Sequence, residues 1–307
     1  MTNYLVTGGA GFIGSHLVQA LVARGDNVRV LDNFTTGRRE NLAWAGSQAA
    51  PEVMEGDVRD LADVQRAVAG ADYVLHQAAV VSVQQSLHDP LETHEVNATG
   101  TLNVLRAALE AGVQRVVLAS SCAVYGDSTD LPLRESTPLK PLSPYAASKI
   151  AAEGYCRAFS AAYGLPTVCL RYFNVYGPRQ NPDGEYAAVI ARFAQRMKGG
   201  QPPLIYGDGE QSRDFVHVGD AVRANLLASA DKRAVGEVFN VASGQQVSLL
   251  ALVELLNDLL GTRMSPLFEP ERAGDIRHSV GDGGRAAAAL QFRPQTSLAD
   301  GLRQLIG

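Results

Sequence analysis

The first half of the chain alternates short apolar runs with segments whose apolar residues recur every three or four positions. Tyr4-Leu5-Val6-Thr7 is an apolar run stopped by glycine, the pattern of a buried strand. Gly14 to Arg24 sets Leu17 and Leu21 on one helical face behind Ile13, and Gly25 ends it. Val28 to Asp32, Val53 to Glu55, Tyr73 to His76 and Val116 to Ser120 read as further strands. Helical patterns cover Leu61 to Val68 and Asn97 to Ala111. Strands regularly separated by helices predict a parallel sheet covered on both faces, with right-handed crossovers.

A long helix is predicted from Pro144 to Tyr163, closed by Gly164 and Pro166, and a strand from Thr167 to Arg171. Beyond Gly177-Pro178 the pattern changes. Stretches rich in Pro and Gly (Asn181 to Gly184, Gly199 to Gly209, Glu269 to Gly274) interrupt shorter elements. The expected architecture is α/β: a Rossmann-type doubly wound parallel sheet with a smaller C-terminal substrate-binding lobe. The dinucleotide domain is expected at 1–170 with a returning segment 214–245, and the lobe at 171–213 and 246–307.

Composition narrows the class. Hydrophobic residues are 46% of the 307, as in a globular chain, and the formal net charge is −5 with no basic stripe, so nucleic acid is not an expected partner. Cys122, Cys156 and Cys169 are an odd count without metal-ligand spacing and read as reduced thiols. No secretory pattern and no bilayer-length apolar run is present, so a cytoplasmic location without a membrane partner is expected.

Gly8, Gly11 and Gly14 directly follow the first strand and open the first helix. A pyrophosphate loop needs glycine there for the turn, for close main-chain approach to phosphate and for tight helix–strand packing. The helix N-terminus then offers free N–H groups. Asp32 ends the second strand near the ~20-residue offset of a ribose-binding acid, although a strand-end carboxylate also caps turns. A carboxylate accepts the ribose hydroxyls and repels a 2′-phosphate, which favours NAD over NADP; Arg38 and Arg39 nearby weaken that preference.

Tyr145 and Lys149 lie four residues apart on the predicted long helix, hence on one face. A free phenol has a pKa of about 10, and an adjacent ammonium and an oxidised nicotinamide both favour its phenolate. The pair therefore reads as a general base usable when NAD is bound, with Ser121, after the fifth strand, as a hydroxyl that steadies the substrate. Read blandly, the same residues are a half-buried tyrosine, a solvated lysine and a strand-end serine.

Together these residues resemble the extended short-chain dehydrogenase/reductases, in particular nucleotide-sugar epimerases of the UDP-glucose 4-epimerase type. The resemblance runs along the whole chain through TGGAGFIGS, DN at 32–33, GDVRD at 56–60, HQAA at 76–79, NATGT at 97–101, SSCAVYG, YAASK, RYFNVYGPRQ at 171–180 and RDFVHVGDA at 213–221. It implies that Gly8, Gly11, Phe12, Ile13 and Gly14 line the pyrophosphate loop, that Asp32 and Asn33 hold the adenosine end, and that Asp57 and Val58 flank adenine. Ala78, Ala79 and Asn97 would line the middle of the cofactor site, and Tyr145, Lys149 and Ser121 would be catalytic. Ser82, Ser121, Asn174, Tyr206, Arg213, Arg272, Asp275 and Ser279 would face the nucleotide sugar. Asn174 also fits a turn, Arg213 a local pair with Asp214, Tyr206 a core position and Arg272 a solvated loop charge.

The implied reaction is NAD-dependent 4-epimerisation of a UDP-hexose through a transient 4-keto sugar, with NAD tightly bound and not consumed. UDP-glucose and UDP-galactose are the expected pair. Ser279 stands where some relatives carry tyrosine, which adds UDP-GlcNAc and UDP-GalNAc. Gln84 and Gln85 replace a proline and a basic residue, which weakens a uronate reading. No acidic residue stands next to Ser121, as one tends to in dehydratases and decarboxylases. A uronate 4-epimerase, a net oxidoreductase of the same fold and a non-catalytic dinucleotide sensor are the competing readings. Relatives pair through two alanine-rich helices, so a homodimer with a four-helix bundle is implied.

Overall fold

In the computed structural model, residues 1–43, 50–183, 188–271 and 276–307 are described. Seven parallel strands form one sheet (Asn3–Thr7, Asn27–Asp32, Glu52–Glu55, Tyr73–His76, Arg115–Ser121, Thr167–Tyr172 and Val238–Val241). Counted along the chain, their spatial order is seventh, sixth, fifth, fourth, first, second, third. The order reverses between the first strand and the fourth, where Thr7 is in register with His76. In an open α/β sheet that reversal leaves a crevice beyond the carboxyl ends of the strands.

Alternation along the strands builds two cores. Tyr4 and Val6 join the core on one face, with Leu17, Val18 and Leu21 of the helix Phe12–Ala23 and Ala224 and Ala228 of the helix Val218–Ala230. Leu5 points the other way, to Val64 and Ala67 of Leu61–Val68, Val104 and Leu105 of Gly100–Glu110, and Ala152 and Cys156 of Pro144–Tyr163. A side-chain period of two makes this division unavoidable. A third core joins the helices Val189–Lys198, Leu249–Leu260 and Leu298–Ile306 through Phe193, Leu252, Leu256 and Leu302.

The sequence reading is corrected between the fourth and fifth strands. The helix expected from Asn97 begins at Gly100, and Asn97 sits in a wide π-type turn, Glu95–Thr99, that comes after the short helices Val83–His88 and Pro90–His94. Such turns insert one residue into the helical ladder and re-aim a side chain. Among the described residues, no helix is long and apolar enough to cross a membrane.

Candidate active site

The first strand ends at Thr7, and Gly8 turns the chain with φ of +66°. A Cβ there would stand 2.7 Å from the Ala78 nitrogen, so a side chain is excluded by both backbone conformation and space. A Cβ on Gly14 would overlap the Gly8 carbonyl oxygen. Gly11 caps the helix without a side-chain hydrogen bond, so the first turn carrying Phe12 and Ile13 keeps N–H groups for an anion. The loop is a cradle that side chains would fill.

Asp32 is buried at the end of the second strand. Its Oδ2 accepts from the Ala10 N–H at 2.9 Å and its Oδ1 from the Phe34 N–H at 2.9 Å. A carboxylate has about four lone-pair sites, so two remain for a ribose diol. Arg39 lies with its guanidinium carbon 4.0 Å from the centroid of the Phe34 ring and pairs with Glu55 at 2.5 Å, which gives that cation a carboxylate of its own. Asn33 donates to Asp57 at 2.9 Å. The Arg59 guanidinium and N–H hold the Asp57 carboxyl well below the usual carboxylate range. Val58 is buried beneath Gly100, leaving its backbone to flank a base.

On the other side of the crevice Thr7 Oγ1 accepts from the Ala78 N–H at 3.2 Å and meets His76 Nδ1 at 2.7 Å. Burial pushes His76 down to about 3, with Lys149 adding to the effect, so the ring stays neutral. Asn97 is held in place by its neighbours. Its Oδ1 accepts from the Val80 N–H at 2.8 Å, while its Nδ2 donates to the Val80 carbonyl at 2.9 Å and to Ser148 Oγ at 3.0 Å. Both amide protons are therefore engaged, and Asn97 ties the Ala78–Ala79 loop to the long helix. Ser148 completes the tie by donating to the Tyr145 carbonyl at 2.8 Å.

Pro144 at the first helical position and Ser143 as cap, accepting from the Ala146 N–H at 3.2 Å, start the helix that carries Tyr145 and Lys149. Both side chains are buried, at 8% and 4% exposure for the two residues. Ser121 stands beside the Tyr145 hydroxyl, and Lys149 Nζ lies 5.9 Å from the Tyr145 ring centroid while donating to the Ala119 carbonyl at 2.9 Å. Burial raises the Tyr145 phenol to about 12, against the pull of Ser121, and lowers the Lys149 ammonium to about 8, against the pull of Glu153. Without an added positive charge the phenol keeps its proton at neutral pH.

The remaining positions are more dispersed. Ser82 caps the helix Val83–His88, its Oγ accepting from the Gln85 N–H at 3.0 Å. Asn174 donates through Nδ2 and N–H to the Asp214 carbonyl at 3.0 and 2.9 Å, which brings it beside Arg213. Arg213 donates to the Ser212 carbonyl at 2.9 Å. Asp214 does not serve as its counter-ion. That buried carboxylate accepts from the Ser243 N–H and hydroxyl and from the Gly244 and Gly281 N–H groups, at 2.6 to 3.1 Å. Ser279 is 3% exposed, and its hydroxyl has no hydrogen-bond partner among the described residues. Tyr206 lies on the strand Leu204–Tyr206 under Arg192, in a separate two-stranded sheet. Arg272 and Asp275 lie outside the described residues.

A parallel sheet with a glycine cradle and a strand-end acid at its switch point defines a Rossmann-type dinucleotide-binding protein. The model of the NAD dependent epimerase/dehydratase family matches residues 4–242. UDP-glucose 4-epimerase of Mycolicibacterium smegmatis is 40% identical over 305 residues, covering 98% of this chain and 96% of its own. A crystal structure of UDP-glucose 4-epimerase with UDP-glucose, from Thermotoga maritima, superposes with a TM-score of 0.94 at 38% identity, over 99% and 97% of the two chains. One of the Thermus thermophilus UDP-glucose 4-epimerase in complex with NAD gives 0.89 at 39% identity, over 99% and 98%. UDP-glucuronic acid decarboxylase 1 of Arabidopsis thaliana is also similar, 34% identical over 98% of this chain and 68% of its own. The chain belongs to the NAD-dependent epimerase/dehydratase family, within the extended short-chain dehydrogenase/reductases, and is an NAD-dependent enzyme.

Proposed function

We propose that the chain interconverts UDP-hexoses at sugar C4, with UDP-glucose and UDP-galactose as the primary pair. The observation that carries this reading is the buried Tyr145 hydroxyl, with Ser121 beside it and the Lys149 ammonium beneath its ring. When bound, NAD supplies a hydride acceptor that can return the hydride, and a positive ring. Gly8, Gly11, Gly14 and the first turn of their helix would hold its pyrophosphate, and Asp32 its adenosine ribose. Tyr145, at the positive end of its helix, takes the proton from the sugar 4-hydroxyl and gives it back on the other face. Ser121 orients that hydroxyl, and Lys149 favours the phenolate by its charge. Asn174, Arg213 and Arg272 hold the diphosphate, so the sugar can turn while the nucleotide end stays fixed.

The residue beside Ser121 favours epimerisation over elimination or decarboxylation. Cys122 occupies that position, and burial pushes its thiol up to about 12, so it is neither acid nor base at neutral pH. Gln84 and Gln85 offer no cation to a uronate carboxylate. The small side chain of Ser279 leaves room for an acetamido group at sugar C2. A panel of UDP-sugars given to the purified protein without added NAD or reductant tests this. Conversion of UDP-galactose to UDP-glucose, and of UDP-GalNAc to UDP-GlcNAc, is expected. Stoichiometric need for NAD(P)H, or release of CO2 from a UDP-uronate, would replace the reading with a reductase or a decarboxylase.

We further propose a homodimer through the helices Gly100–Glu110 and Pro144–Tyr163. The second presents Ala147, Tyr155 and Ala158 outward, an apolar face with small residues that lets helices approach closely. Leu91 nearby is 74% exposed, which a free surface gains nothing by keeping. Small-angle scattering should return twice the 32.6 kDa of one chain. A concentration-independent monomer would refute the pairing.

A further inference from the structure

Three successive residues at one strand end meet three residues spaced by four on the long helix. The Ala119 carbonyl accepts from Lys149 Nζ at 2.9 Å, Ser120 Oγ donates to Glu153 Oε1 at 2.5 Å, and Ser121 stands beside the Tyr145 hydroxyl. Tyr145, Lys149 and Glu153 thus share one helical face. The first two belong to the reaction proposed above, whereas Glu153 is held away from it.

Arg171 holds the Glu153 carboxylate with two parallel hydrogen bonds, Nε to Oε1 at 2.9 Å and Nη2 to Oε2 at 2.7 Å. The two side chains are only 4% and 7% exposed. Arg171 Nη1 in turn donates to the Tyr125 hydroxyl at 2.9 Å, which donates to Asn240 Oδ1 at 2.6 Å. Asn240 donates onward to the Leu133 carbonyl at 2.9 Å. Every member is partnered, so Glu153 has one position. A buried ion pair adds little stability over a well-packed apolar pair of the same volume, so stability is a poor account of this one.

We propose that Glu153 is a positioning residue: fixed by Arg171, it anchors Ser120, sets the register in which Ser121 and the Ala119 carbonyl meet Tyr145 and Lys149, and stands one turn from Lys149 as its counter-charge. The effect on turnover rests on the epimerase reading; the effect on Lys149 does not. Groups facing Glu153 are Arg171 and Cys169 from the strand Thr167–Tyr172 and Ser120 from its neighbour. Those facing Lys149 are Tyr145 and Glu153 on its own helix and His76 across the sheet. Glu153 alone among them is a carboxylate, and it draws Lys149 upward against burial.

Glu153→Gln keeps the shape and an acceptor for Ser120 but removes the charge; Ser120→Ala removes the anchored hydroxyl and leaves the ion pair. Both should lower kcat about tenfold or more with KM little changed, the signature of misplaced groups rather than lost binding. In cofactor-free protein, nitrogen NMR of the Lys149 ammonium should find the wild-type midpoint near 8 and a lower one in Glu153→Gln. Should that variant not fold, Glu153→Met with Arg171→Met, an apolar replacement of the pair, should fold and show the same fall in kcat. Variants that lose only thermal stability, with kcat and the Lys149 midpoint as in wild type, would overturn the assignment. The NMR midpoint needs no substrate, so failure of the epimerase reading and failure of this one are told apart.

Discussion

Tyr145→Phe should retain the fold and bound NAD and lose about 10³-fold in turnover, the middle of the range for a positioned acid–base group. The substitution removes one oxygen. The ring stays packed in a site where the residue is 8% exposed, and Lys149 keeps its bond to the Ala119 carbonyl. What disappears is the oxygen beside Ser121, the atom that takes the proton. The phenol sits near 12 in the chain by itself, because burial outweighs the help of Ser121. Turnover at neutral pH therefore depends on further positive charge brought close to that oxygen by the oxidised cofactor. The variant is checked by steady-state kinetics on UDP-galactose together with the NAD content of the purified protein. Full activity in Tyr145→Phe would leave the buried hydroxyl without a catalytic part.

Gly14→Ala should abolish tight NAD retention, with affinity lower by about 10²-fold or more, a loss of the size expected when a positioned group moves by about 1 Å. Helix propensity points the other way, since alanine in a helix is better than glycine by about 1 kcal/mol. Sterics decide the sign. The new methyl would overlap the Gly8 carbonyl oxygen and come within 2.8 Å of Gly9 Cα, both backbone atoms of the cradle itself. Helix and loop must separate, and the N–H groups capped only by Gly11 move off the pyrophosphate position. Isothermal titration with NAD on stripped protein measures the effect, and circular dichroism shows the variant folded. Unchanged affinity would mean that the cradle does not carry the pyrophosphate.

Local patterns make the cofactor half legible. The strand Tyr73–His76 and the helices Leu61–Val68 and Pro144–Tyr163 have the limits read from apolar period, caps and glycine stops. Tyr145 and Lys149 are readable because a spacing of four is a statement about one helix. Residues that act across elements leave no such mark. Glu153 continues the same face by another four residues, yet its meaning appears only when Arg171 and Ser120 close on it. Asp214 reads in the sequence as a partner for Arg213 and proves to tie together Ser243, Gly244 and Gly281, all distant along the chain. The helix Val83–His88 has almost no apolar period; its caps Ser82 and Asp89 are the readable signal. Asn97 reads as part of a regular helix because a π-type turn has no sequence period of its own.

The central claim is that the configuration at C4 is inverted by hydride taken and returned within one site, with Tyr145 moving only the hydroxyl proton. UDP-galactose carrying deuterium at C4, converted by the purified protein in ordinary water, reads this directly. UDP-glucose that keeps the deuterium at C4, formed without added cofactor, is the expected product. Hydrogen from water at C4 would mean that the carbon was deprotonated instead, and the account of Tyr145, Ser121 and Lys149 would fail.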